Sequence, residues 1–380
     1  MKPRCKTKQR IATARPQGLT RSNHCMVRSR HLLVKLLVLC VLTVFASEMR
    51  GQTTNGTYSF LDATNSARVA ALGNTVLSIY DSDIQLGIYN PSLINDSMHN
   101  GMALSYVNYY AGINYMTAQY GRSYDNIGTF VATVQFHNYG DFKYADEQGN
   151  VDGSFTSSDY NILIGWGRQL TPHWSIGANV KFAGVQYESF KAFALGVDVA
   201  GHYRTDKGWM FTAAARNIGY ELYSDFEGER SELPFHLSAG VSKRLEHVPF
   251  LFNITFDNIQ KWDLSYDDPL DLDGDYDPMT GTVQSKSDAA KFADNLMRHI
   301  VLGGEIYIGK NLVLRAAYNY NTRQNLKTPT AKGLCGFSYG VGINIWKFSI
   351  NYSRSEMHIY GSPNYITITT NLDRFAKKSK

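Results

Sequence analysis

The residues with the strongest claim to chemistry lie in the stretch 263–277, where the chain reads DLSYDDPLDLDGDYD. Asp271, Asp273 and Asp275 fall at alternate positions, the spacing with which a calcium loop offers successive carboxylates to one hard cation. Such a loop also needs a turn-making glycine at its sixth position and a bidentate glutamate at its twelfth. Tyr276 and Thr282 stand there instead. The stretch therefore reads as a solvated acidic loop, with a weak calcium site as its alternative. Ten histidines are scattered along the chain, and no His-to-Ser or His-to-carboxylate spacing recurs on one strand face. Of the four cysteines, Cys5, Cys25 and Cys40 lie in or before an export segment, leaving Cys335 without a disulfide partner. It reads as a small apolar residue on a barrel wall. No catalytic group, metal centre or cofactor is expected, so the chain reads as a non-enzyme.

The charge distribution tells where the protein goes. Lys2, Arg4, Lys6, Lys8, Arg10, Arg15, Arg21, Arg28, Arg30, Lys35 and Arg50 are opposed only by Glu48 in the first 50 residues, so the formal charge of +5 leaves a net negative remainder. A nucleic-acid partner loses its support. Residues 36–46, LLVLCVLTVFA, follow Arg28, Arg30 and Lys35 and are too short to cross a bilayer, which is the layout of a secretory signal peptide. Residues 1–46 are assigned to that signal, with translation starting at Met26 and cleavage after Ala46 or slightly later.

The elements beyond the signal are strands. The chain carries 25 Tyr and 32 Gly against 10 Pro, and its mean hydropathy of −0.29 is too low for a helical membrane protein. From Gly101 onward it breaks into alternating stretches of the length a tilted strand needs to cross a membrane. In 127–138, Phe130, Ala132, Val134 and Phe136 face one way, and Thr129, Thr133, Gln135 and His137 the other. Ile176, Ala178, Val180 and Phe182 alternate likewise with Ser175, Asn179 and Lys181. The polar set should point into a lumen, because it is costly against lipid.

The pattern predicts fourteen strands: 102–110, 113–123, 127–138, 156–169, 174–187, 190–204, 208–218, 234–246, 249–259, 297–308, 311–321, 333–345, 347–354 and 364–372. Connections after even-numbered strands are short, whereas 139–155, 219–233, 260–296 and 322–332 follow odd-numbered ones. That parity is the signature of short periplasmic turns and long outer loops. Aromatic residues near strand ends, among them Tyr106, Tyr109, Tyr110, Tyr115, Tyr120, Trp174 and Tyr352, are placed in interfacial girdles. The fold class is thus all-β, a fourteen-stranded antiparallel transmembrane barrel over 101–375 with a tail at 376–380.

Residues 47–100 do not alternate. Residues 64–72, TNSARVAAL, predict a short helix capped by Thr64 or Asn65 and stopped by Gly73. YNPSL at 89–93 predicts a turn. Together they suit a plug folded into the barrel mouth from the periplasmic side. Phe60-Leu61, Ser66-Ala67-Arg68, Leu72-Gly73 and Asn90-Pro91-Ser92-Leu93, in this order, resemble the opening of the PorV/PorQ family of Bacteroidetes type IX secretion barrels, relatives of the FadL fatty-acid transporter. The resemblance implies a non-catalytic outer-membrane barrel in a cell-surface attachment complex. Its implied partners are a PorZ-like surface protein, the sortase, a PorV-like barrel and outer-membrane lipid. The chain departs from common barrels at its end, where Phe375 is followed by AKKSK. A FadL-like transporter of hydrophobic solutes is the alternative.

The expected docking surface is the loop 260–296, the longest on the outer side. It carries Trp262, Tyr266 and Tyr276, aromatic types that serve as interface anchors. Its aspartates should repel lipopolysaccharide phosphates and favour a protein partner.

Overall fold

Alternation of apolar and polar residues produces fourteen strands, and their closure leaves no strand edge in the wall. The structure is a computed structural model that describes residues 56–226, 230–265, 287–326, 333–357 and 361–375, all within the unit Gly51–Lys380. The strands are β1 (Gly101–Asn108), β2 (Asn114–Tyr124), β3 (Gly128–Ala145), β4 (Val151–Gln169), β5 (Trp174–Tyr187), β6 (Phe190–Arg204) and β7 (Trp209–Ser224). They continue as β8 (His236–Arg244), β9 (Phe250–Phe256), β10 (Ile300–Ile308), β11 (Leu312–Asn319), β12 (Phe337–Ile345), β13 (Phe348–Ser355) and β14 (Asn364–Asn371). Each pairs antiparallel with its sequence neighbours, and β1 closes on β14 from Gly101↔Asn371 to Asn108↔Asn364.

The predicted facing is observed. Val134, Val180 and Phe182 lie exposed on the outer wall, while Thr129, Thr133, Gln135, His137, Asn179 and Lys181 are buried inside. An exposed apolar band around a closed sheet is stable only against hydrocarbon, where every backbone group is satisfied within the wall. Tyr106, Tyr110, Tyr120, Trp174 and Tyr352 are exposed as girdle residues should be. Tyr109 and Tyr115 are not; they pack in the lumen against Val107 and Tyr365. Alternation sets Tyr115 inward, a parity that composition near a strand end does not register.

The described parts of the four expected outer connections hold strand or helix that the sequence pattern does not predict. The stretch 139–155 is not a loop: β3 and β4 run on through it, leaving only 146–150 as a turn. β7 extends to Ser224. Two helices rise at the loop end of the barrel, α3 (Asp288–Arg298) and α4 (Tyr320–Leu326), so β10 starts and β11 stops short of the expected bounds. Ser287 caps α3 by accepting from the Ala290 N–H, a local bond that outweighs strand continuation there. Cys335 lies in the turn before β12 instead of on the wall, its Sγ 2.8 Å from the Met357 carbonyl oxygen.

Residues 56–100 form a hatch inside the barrel. They contain two short helices, α1 (Ala67–Ala71) and α2 (Leu86–Tyr89), linked by turns. Ser66, and not Thr64 or Asn65, caps α1. Thr64 is engaged elsewhere, donating to the Asn74 carbonyl, and the Asn65 amide faces His137. Gly73 ends α1 as predicted, with φ of +93°. A Cβ there would come within 2.4 Å of a Val301 methyl, so both the backbone angle and the wall require glycine. The hatch does not enter only from the turn end. Thr57 Oγ1 lies 2.8 Å from Ser231 Oγ near the loop end, and the chain then descends the lumen to Asn100 at the foot of β1.

Candidate functional site

The resemblance motif becomes one object in three dimensions, the clamp that holds the hatch. Ser66 Oγ donates to Gln85 at 2.7 Å, and the Ala67 N–H donates to Thr367 Oγ1 on β14 at 3.0 Å. This sets α1 with Arg68 pointing at the wall. Arg68 Nε and Nη2 donate to the two carboxylate oxygens of Glu305 on β10 at 2.7 and 2.9 Å, a bidentate pair. Its Nη1 meets Asp81 at 2.7 Å and Asp83 at 3.3 Å. Arg315, the register partner of Glu305 on β11, donates to Glu305 Oε1 at 2.7 Å and to Asn351 on β13 at 2.8 Å.

Burial works against the charge on Arg68, but the three carboxylates outweigh it and hold its pKa above the ordinary value. Burial pushes the Asp83 carboxyl up, opposed by Arg68. The arginine is thus a permanent cation whose removal leaves the buried Asp83 without its nearest counter-ion.

A second clamp joins the hatch to β5–β7. Asn179 donates to the Gly87 carbonyl of the hatch at 3.1 Å and to Asp198 at 3.0 Å. Lys181 neutralises Asp198 at 2.9 Å and donates to Asn217 at 2.6 Å. Higher up, Asp62 of the hatch meets His236 Nε2 at 2.7 Å and accepts from Asn217 at 3.1 Å. Tyr58 donates to Glu221 at 3.0 Å, and burial pushes its hydroxyl well above its ordinary pKa, so it remains a donor.

The other motif residues have comparable places. Phe60 lies edge-on to His137, with Leu61 half-buried beside it. Leu72 and Leu93 are fully buried. Asn90 donates to the Leu77 carbonyl at 2.5 Å and accepts from the Ser92 N–H at 3.0 Å, fixing the turn that Pro91 begins. Sequence reasoning missed Glu305 and Arg315 as partners of Arg68. Their signal was a charge at mid-strand on the lumen parity, in IVLGGEIYI and LVLRAAYN.

The expected docking loop is only partly described. Trp262 is exposed and packs on Phe292 and on His299. Tyr266, Tyr276 and the calcium candidates Asp271, Asp273 and Asp275 lie outside the described residues. At the turn end, a cavity of about 1020 Å³ opens between the hatch and the turns after β2 and β4, with Tyr80, Asp96, His99, Ser123 and Arg168 in its wall. Its lining is polar, so it suits water and not an apolar solute.

A closed barrel, an apolar outer band and a lumen filled by a clamped hatch define a transmembrane β-barrel of the outer-membrane type. No family model matches the chain, and no curated protein does. Solved structures similar to it include the Pseudomonas putida toluene transporter TodX, at 13% identity over 80% of this chain and 96% of that one, with a TM-score of 0.46. A Pseudomonas aeruginosa FadL homologue matches at 9% identity over 81% and 98%, with a TM-score of 0.47. The KdgM porin matches at 3% identity over 71% and 98%, with a TM-score of 0.31.

Proposed function

We propose that this chain sits in the outer membrane of a Gram-negative bacterium and holds a protein partner at the cell surface, without catalysis. The partner is the PorZ-like component of a type IX attachment complex that the sequence resemblance implies, working beside a sortase and a PorV-like barrel. The observation that carries the proposal is the clamped hatch. Arg68 of the hatch and Glu305 and Arg315 of the neighbouring strands β10 and β11 form a buried ionic cluster, which moving the hatch aside would break. A barrel closed in this way has its loop end free for work, and there the chain spends its long hairpin and two helices. The test is deletion in the native host. Release of a sortase-processed surface protein into the medium is the expected result; unchanged surface display would refute anchoring.

The second function is FadL-like passage of a hydrophobic solute. Aromatic side chains gathered at the loop end beside the hatch favour it. Under that function, the deletion would lower uptake of a fatty acid or monoaromatic hydrocarbon and leave surface display intact.

A further inference from the structure

Beside the hatch, on the β3–β7 side, the loop end carries a cluster of aromatic rings that the strand pattern does not announce. Phe136 and Asn138 continue the outward parity of β3, so Phe142 should also face out. It does not, because a bulge between Asn138 and Asp141 inserts one extra residue, with Gly140 at φ +85°. The bulge turns Phe142 to the side of Phe155, its register partner, which shares the parity of the lumen residues Asp159 and Asn161. The two rings stack at 5.3 Å, and Tyr144 adds its ring at 4.9 Å from Phe155.

Tyr144 then donates to Glu188, tying the hairpin to the β5–β6 turn. Beside that turn, Phe190 stacks on Phe226 at 5.4 Å, and Phe226 packs on the outermost part of the hatch. Phe142, Tyr144 and Phe190 remain about 40% exposed, at 43%, 40% and 42%. The same hairpin, the β5–β6 turn and the end of β7 carry Asp141, Asp146, Glu147, Asp152, Glu188 and Asp225, all exposed, against Lys143 and Lys191.

We infer that this aromatic cluster is the docking site for a protein segment that carries one or two apolar side chains flanked by lysine or arginine. The inference rests on the anchoring role proposed above and places its contact on the β3–β4 hairpin and the β5–β6 turn. Three features select that occupant. Stacked, half-exposed aromatic rings supply large contact area at low conformational cost. A rim of carboxylates attracts cations and rejects both fatty-acid carboxylates and lipopolysaccharide phosphates. The tie between Tyr144 and Glu188 pre-organises two strand hairpins around one space.

The test uses the full barrel in detergent micelles with two labelled cyclic peptides, one bearing two Leu flanked by Lys and the other flanked by Glu, and with dodecanoate as competitor. The Lys peptide should bind saturably, weaken with salt, and lose at least about tenfold in affinity in the Phe142→Ser/Phe155→Ser protein. Unchanged heat-modifiability on gels shows that this variant still folds. Equal binding of the Glu peptide, indifference to the double substitution, or displacement of the Lys peptide by dodecanoate would each overturn the inference. In cells, a photo-cross-linking phenylalanine at position 190 should give one protein adduct of defined mass. Surface protein released on deletion but no adduct at 190 would sink this site while leaving the anchoring role standing. Peptide binding without any released protein would sink the anchoring role alone.

Discussion

Replacing Arg68 with alanine is the sharpest perturbation of the hatch, because the charges it leaves behind can be followed one by one. Glu305 keeps Arg315 at 2.7 Å and is not orphaned. Asp81 is about a third exposed, at 37%, and regains water. Asp83, at 12%, has no such escape and loses its nearest cation. Breaking a buried pair from one side costs about 3–5 kcal/mol, and here that cost should fall mainly on Asp83. The double variant Arg68→Ala/Asp83→Asn should therefore recover at least about 1 kcal/mol of the loss. Glu305→Gln should cost as much as Arg68→Ala or more, because it removes the carboxylate that two guanidinium groups share and leaves Arg315 with the Asn351 amide oxygen.

Urea unfolding in lipid vesicles, followed by tryptophan fluorescence, measures each cost, and planar-bilayer conductance reports whether the hatch has left the lumen. A loss below about 1 kcal/mol for Arg68→Ala, or no recovery in the double variant, would refute the view that this cluster clamps the hatch.

Three further outcomes follow from the same geometry. Val134→Arg on the lipid face should cost about 2–4 kcal/mol in vesicles, whereas Thr133→Ser should be nearly neutral; the reverse order would show that the wall faces the other way. Gly73→Ala should lower stability by about 1–2 kcal/mol from its left-handed backbone alone, and Val301→Ala should relieve the clash without relieving that strain, as thermal melts of the single and double variants will show. Hydrogen bonds from the Asn150 side chain and from backbone N–H groups hold the Asp146 carboxyl below its ordinary pKa. A depressed acid stabilises the ionised fold, so the tip of the β3–β4 hairpin should stay ordered from neutral pH to about 4 and loosen below it. Amide exchange at Gly149 against pH measures this, and Asp146→Asn should flatten the profile.

The barrel was legible in the sequence because lipid imposes a two-residue period that few other constraints disturb. Fourteen strands, their order and their inward set could be read from residues such as Val134 and Thr133 without any tertiary knowledge. The lumen was less legible. Thr133 reads as one of the polar residues that point into a lumen, but the pattern does not show what it meets there: it is 1% exposed and accepts a bond from Gln119 at 3.0 Å. Its burial depends on what fills the barrel, and that is set by a segment thirty residues or more upstream. The hatch motif was recognised as a string, but the reason for its residues lies on β10, β11 and β14. Arg68 is explained by Glu305, Ala67 by Thr367, and Gly73 by Val301.

The loop end shows how little sequence is needed to convert one surface into another. Had β3 kept its parity past Asn138, Phe142 would lie on the outer wall with Phe136, and the hairpin would be an apolar rod projecting from the membrane. One inserted residue at 139–140 moves that ring to the barrel-axis side and leaves the acidic residues at the rim. The same stretch, read without the bulge, looks like the solvated loop that its Asp, Gly and Asn content suggests. Strand periodicity reports a face only as far as the next bulge. That also bears on the choice between anchoring and transport. A ring turned inward above an open lumen would line a path for a solute. Here the rings lie beside a hatch whose Tyr58 and Phe60 are packed against Ala183, Val185 and Leu233, with Phe226 against the same cluster, so the hatch and not an open path lies next to them.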